Sequence, residues 1–135
     1  MTAAGRERAT SRLTPEEKLE LAERAVLDLR AVEPLVLEMR ELTVITDYFL
    51  ICHGTSNVHL RAIADRVQEQ LEERRVRPIG VEGYAEAQWI LLDYGDLVVH
   101  IFAEEQREFY SLERLWSDAP RRELSASDER RPDQS

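Results

Sequence analysis

Apolar residues recur along this chain at two periods, and the switches between them mark its elements. Leu19, Ala22, Val26 and Leu29 recur at helical spacing. Their helix opens at Thr14-Pro15-Glu16-Glu17. Thr14 can cap, Pro15 suits the first helical position, and Glu17 completes a capping box. Pro34 cannot continue a helix and is read as its end. Residues 35–40 then alternate as a strand, and 48–52 form a denser one expected at the sheet centre. Gly54-Thr55-Ser56-Asn57 offers a turn and several caps. A second helix follows, with Leu60, Ile63, Val67 and Leu71 on one face and charge on the other. Residues 78–82, 88–93 and 97–103 read as three further strands. A last helix is expected over about 107–116, with Phe109, Leu112, Leu115 and Trp116 on its apolar side. The order is helix, two strands, helix, three strands, helix. It predicts an α/β domain built on a single mixed sheet with flanking helices.

The last two strands form a hairpin from Trp89 to Phe102. A tight turn at Tyr94-Gly95 sets Leu92 opposite Leu97, Ile90 opposite Val99 and Gln88 opposite Ile101. The other face then pairs Asp93 with Asp96, Leu91 with Val98 and Trp89 with His100, and Phe102 continues it. The first face is aliphatic and belongs against the helices. The second mixes a Trp, a His, two carboxylates and apolar groups. Like charges directly opposite are unfavourable unless a partner offsets them. An open face carrying Trp and Phe reads as a protein-recognition patch. The competing reading is that the last helix, or a second copy of the chain, covers it.

Composition narrows the function. The chain has 135 residues, enough for one domain with its own core. Residues 1–13 and 118–135 are polar and aperiodic and are expected as disordered tails, leaving 14–117 as the domain. Cys52 is the single cysteine, so no internal disulfide forms and a reducing compartment is expected. No apolar run approaches the roughly 20 residues that a bilayer needs. A cytoplasmic protein is expected. The net charge of −9 repels phosphate backbones and favours a basic partner, unless it serves solubility alone.

Catalytic readings fit poorly. A nucleotidyltransferase, the alternative as a nucleotide-binding enzyme, would follow Gly-Ser and a helix with paired carboxylates on the next strand. Here residues 78–84 offer only Glu82, while Asp93 and Asp96 flank a turn. Cys52 and His53 are adjacent in a strand and point to opposite faces, which argues against a shared zinc site with His59 and His100. Gly54-Thr55-Ser56-Asn57-Val58 lacks the second glycine of a nucleophile elbow, and Ser56 reads as a helix cap. No catalytic residue, metal or cofactor is assigned.

Taken in order, a set of short runs is familiar. They are Asp47-Tyr48-Phe49, Gly54-Thr55-Ser56, Glu82-Gly83, Trp89-Ile90-Leu91-Leu92-Asp93-Tyr94-Gly95-Asp96, Val99-His100-Ile101-Phe102 and Arg107-Glu108-Phe109-Tyr110-Ser111-Leu112-Glu113-Arg114-Leu115-Trp116. Together they resemble the ribosomal silencing factor family (RsfS, also called Iojap), over about residues 19–116. The resemblance implies a nucleotidyltransferase-like fold without that activity. It implies binding to the large ribosomal subunit through large-subunit ribosomal protein fourteen, at the subunit interface. It further implies a block on subunit joining, repression of translation under nutrient limitation, self-association as a homodimer, and no cofactor. On it, Trp89, Asp93, Tyr94, Asp96 and His100 lie on or beside the partner surface, and Tyr110 and Glu113 extend it. Little direct nucleic-acid contact is implied. Nothing is carried onto the tails.

Overall fold

A computed structural model describes residues 12–124. Helix α1, Pro15–Asp28, starts as its sequence dictates. The Thr14 hydroxyl accepts from the Glu17 N–H at 3.1 Å, and the Glu17 carboxylate accepts from the Thr14 N–H at 2.9 Å. Its end differs from expectation. The helix closes at Asp28, and Arg30 turns the chain in a left-handed conformation with φ 58°. Pro34 instead lies inside strand β1, Val32–Glu38. A bulge between Val32 and Leu35 breaks the ladder there, so the missing N–H of Pro34 is not called on.

The remaining elements are β2, Tyr48–Gly54; α2, Asn57–Glu72; β3, Gly80–Glu82; β4, Trp89–Asp93; β5, Leu97–Ala103; α3, Glu104–Tyr110; α4, Leu112–Leu115; and β6, Arg121–Glu123. The strands form one sheet in the order β3-β4-β5-β2-β1-β6. Only β2 and β5 run parallel. The single mixed sheet with flanking helices is therefore as expected. Ser56 caps α2, its hydroxyl accepting from the His59 N–H at 3.0 Å.

Side chains sort by alternation. On the first face, Leu50, Cys52, Ile90, Leu92, Val99 and Ile101 pack against Leu19, Val26, Leu60, Ile63 and Val67 of α1 and α2. On the second, Leu35, Leu37, Ile51 and Phe102 form a smaller core with Met39 and Ala119, and Phe49, Trp89, Leu112 and Trp116 flank it.

Three expectations are corrected. First, the hairpin register differs: Asp93 faces Val98, Leu92 faces Val99, Leu91 faces His100, Ile90 faces Ile101 and Trp89 faces Phe102. The Tyr94 N–H donates to the Leu97 carbonyl at 2.8 Å, so the turn closes around Gly95-Asp96, one residue later than expected, and the Asp93 carboxylate accepts from the Gly95 N–H at 2.8 Å. The slip is by two residues, so every side chain within the paired strands keeps its predicted face, while Asp96, now in the turn, reaches Lys18 of α1. The opposed carboxylate pair does not exist.

Second, the last helix is two. Ser111 adopts φ 48° and ψ 56°, breaking α3 from α4.

Third, the ordered chain runs past residue 117. Ala119 is buried, the Pro120 carbonyl accepts from the Glu38 N–H at 2.8 Å, and β6 pairs with β1. Arg121-Arg122-Glu123 carries no apolar alternation because it is a charged edge strand. Leu13, assigned to the N-terminal tail, is buried in the first core. The rest of both expected tails, 1–11 and 125–135, lies outside the described residues. A chain ending at Ser117 is expected to be about 2 kcal/mol less stable to urea than one ending at Leu124, because β1 loses its edge ladder and Ala119 its burial. Equal midpoints would show that β6 adds nothing.

Candidate protein-docking surface

The second sheet face carries an aromatic cluster, and α3 decides how much of it is seen. Trp89 is partly buried. Its ring stacks on Phe102 at 4.8 Å and meets Tyr110 of α3 at 4.6 Å. Its indole Nε1–H donates to His100 Nδ1 at 3.2 Å. Beyond it, Phe49 stands edge-on to His100 at 4.6 Å and to Trp116 at 6.3 Å. The outward residues are Phe109, 78% exposed, Tyr110, 45%, and Leu115, 68%. Phe109 meets Tyr110 edge-on at 5.0 Å. The face is neither fully open nor fully covered. α3 and α4 cap the sheet and present their own aromatic surface above Trp89.

The expected partner residues fall into three groups. Trp89 and Tyr110 belong to this platform. Asp93, Asp96 and Glu113 are partly exposed but already engaged inside the chain. Asp93 holds Gly95, Asp96 pairs with Lys18 at 3.0 Å, and Glu113 pairs with Arg107 at 2.9 Å. Tyr94 and His100 are each only 4% exposed and are not on the surface. Tyr94 continues the first face after Ile90 and Leu92, and burial raises its phenol pKa. Burial likewise lowers the His100 imidazole to about 4, so the ring is neutral near pH 7.

Sequence reasoning missed Phe109 as a surface residue, placing it on the apolar side of one long helix. In α3 it is Arg107 that faces the sheet, and Phe109, two residues on, points away from it. The reason for the break at Ser111 is Arg107, buried between α3 and the sheet. Its guanidinium donates to Glu113, to the Val32 carbonyl at 3.2 Å and to His53 Nδ1 at 3.0 Å. A continuous helix would not bring Glu113 back to it. Burial, then the nearby guanidinium, lowers the His53 pKa.

Other candidate chemistry is occupied by structure. Gly54 gives room to Leu60, whose Cδ1 would lie 2.8 Å from an added Cβ. His59 Nδ1 accepts from the Thr55 N–H at 3.0 Å. Cys52 is buried on the first face, its thiol pushed up to about 12 by burial. Among the described residues, no group of three or more His, Cys, Asp or Glu could hold a metal ion, and no helix is long and apolar enough to cross a membrane. A cleft of about 840 Å³ lies apart from the aromatic platform, with Leu27, Pro34, Leu35 and Leu124 in its wall. Its arginines, 30, 107 and 121, are matched by glutamates 33, 113 and 123, so charge selects no ligand there.

Known proteins agree with this architecture. Residues 12–135 match the family model described as "Ribosomal silencing factor during starvation". The chain is 43% identical over 106 residues to the Bacillus subtilis protein named ribosomal silencing factor RsfS, covering 78% of this chain and 90% of that one. A crystal structure from Chromobacterium violaceum superposes with a TM-score of 0.76 at 32% identity, covering 78% of this chain and 88% of that one. One from Bacillus halodurans gives 0.72 at 40% identity, covering 81% and 99%. With the family model matching all of the described residues, and these relatives sharing the chain's sequence and fold, the chain belongs to the ribosomal silencing factor family.

Proposed function

We propose that this chain docks on the large ribosomal subunit through large-subunit ribosomal protein fourteen, on the side that meets the small subunit. Docked there, it keeps the subunits apart and lowers translation when nutrients are short. The observation that carries this reading is the exposed aromatic pair Phe109 and Tyr110, with Tyr110 over Trp89, in a member of a family named for ribosomal silencing. Exposed aromatic groups on a rigid base are effective interface anchors. The net charge of −9 suits a basic ribosomal protein and disfavours ribosomal RNA. Asp93, Asp96 and Glu113 serve as rim charges, already half satisfied within the chain. His100 supports the surface from inside, while Tyr94 lies in the core on the opposite face of the sheet. The role is that of a cytoplasmic binding protein without cofactor or catalysis, and a homodimer would compete for the same platform.

Sucrose-gradient profiles of mixed ribosomal subunits test the reading. Adding the protein is expected to shift associated ribosomes to free subunits, and an unchanged profile would overturn it. The double variant Phe109→Ala with Tyr110→Ala is expected to weaken co-sedimentation with large subunits by about tenfold or more. Phe109 is mostly exposed and Tyr110 half-exposed, so the melting temperature is expected to fall by only a few degrees. Trp89→Ala is a poorer probe, since it also removes packing on Phe102 and the His100 hydrogen bond.

A further inference from the structure

We propose that His100 is a positioning residue for Trp89: held as the Nε2–H tautomer, it takes up the only polar atom of the indole, so Trp89 offers a docking partner hydrocarbon and π surface and no hydrogen bond.

An indole nitrogen can only donate. The 3.2 Å contact from Trp89 Nε1 therefore requires His100 Nδ1 to be unprotonated. The ring proton then sits on Nε2. The ring is fixed by its neighbours: it lies parallel to Phe102 at 6.1 Å and 10°, and Phe49 stands across it at 72°. Among the described residues, Nε2 is buried without a hydrogen-bond partner. A buried donor left unmet is uncommon and calls for a reason. A histidine serving only its own packing would satisfy both nitrogens or give way to an apolar ring. Here one nitrogen is left unmet while the other holds the indole against both Phe102 and Tyr110, whose rings lie 6.5 Å apart at its edge. The low imidazole pKa keeps the acceptor available across the physiological range.

The inference rests on the docking reading for its consequence, but the hydrogen bond is testable by itself. In the ¹⁵N-labelled full chain, with Trp116→Phe to assign the indole signals, the Trp89 Nε1–H is expected downfield and protected from exchange. Histidine spectra are expected to show His100 as the Nε2–H tautomer from pH 8 to pH 5. The Nδ1–H tautomer, or a freely exchanging Trp89 indole, would overturn the proposal without any change at His100 or Trp89.

Two substitutions separate positioning from packing. His100→Phe keeps the ring and loses the acceptor. His100→Asn loses ring volume but keeps an acceptor near the Nδ1 position. Positioning predicts about fivefold weaker co-sedimentation with large subunits for His100→Phe, and partial rescue by His100→Asn along with a restored indole signal. The reverse order, with Phe tolerated and Asn damaging, would overturn it. If the wild-type chain does not pellet with large subunits, the docking reading fails, and the spectra still decide the role of His100.

Discussion

Replacing Arg107 with methionine is expected to destabilise the fold by about 3 kcal/mol and to loosen α3 and α4 from the sheet. The side chain is buried, and its guanidinium Nε and Nη1 carry three contacts. Glu113 on α4, the Val32 carbonyl in the β1 bulge and His53 on β2 all receive it. Methionine fills much of the volume but donates nothing. The Val32 carbonyl and the Glu113 carboxylate would lose their partner, and Glu113, partly exposed, would recover some hydration. That places the loss near the low end of the range for broken buried pairs. Urea unfolding checks it. Arg122→Met supplies the contrast, since its 2.7 Å pair with Glu23 has an exposed guanidinium and should contribute about 0.5 kcal/mol. Equal effects from the two substitutions would show that Arg107 is not the latch. Because α3 carries Phe109 and Tyr110, the Arg107 variant should also dock less well, even at temperatures where it remains folded.

Gly83→Ala is expected to lower the melting temperature by about 10 °C or more. Gly83 has φ +79°, and an added Cβ would lie 2.0 Å from the Trp89 carbonyl oxygen. Neither backbone can yield alone. The loop after Gly83 is tied down where Arg61 donates to the Tyr84 and Ala85 carbonyls at 3.1 and 2.6 Å, and where the Ala87 N–H reaches the Gly83 carbonyl at 2.9 Å. The alanine must therefore displace β3 from β4 or distort β4 at Trp89. The left-handed backbone alone would cost about 1–2 kcal/mol, and the clash adds to it. Gly80→Ala, three residues earlier in β3 and with nothing within 4 Å of the new methyl, should melt within a few degrees of the parent. If Gly83→Ala behaved like Gly80→Ala, the close approach of the two backbones would be wrong.

Much of the fold could be read from periodicity. The capping box, the apolar faces of both long helices and the alternation of the hairpin follow from local rules, and each holds in three dimensions. Even the wrong hairpin register kept the right faces, because a slip of two residues preserves alternation. What failed was decided by contacts distant in sequence. Pro34 reads locally as a helix stop, yet a bulge admits it to β1. Arg121-Arg122-Glu123 reads as a tail, yet the open edge of β1 recruits it. Ser111 carries no signal for a left-handed turn; Arg107, His53 and Glu113 impose it by meeting in the interior.

The hairpin face shows the same division. Its residues and their sorting were legible in the sequence: Trp89, His100 and Phe102 together, the aliphatic residues opposite. The sequence also carried the family, through motifs whose order survives in the fold, and the acidity that suits a basic partner. Which of these groups meets the outside was a tertiary decision. Burial depends on what packs above a residue, and α3 with α4 shields His100 and most of Trp89 while turning Phe109 and Tyr110 outward. Lys18 and the turn likewise took Asp96 and Asp93 into the chain's own ion pair and hydrogen bond, contacts that no local pattern specifies.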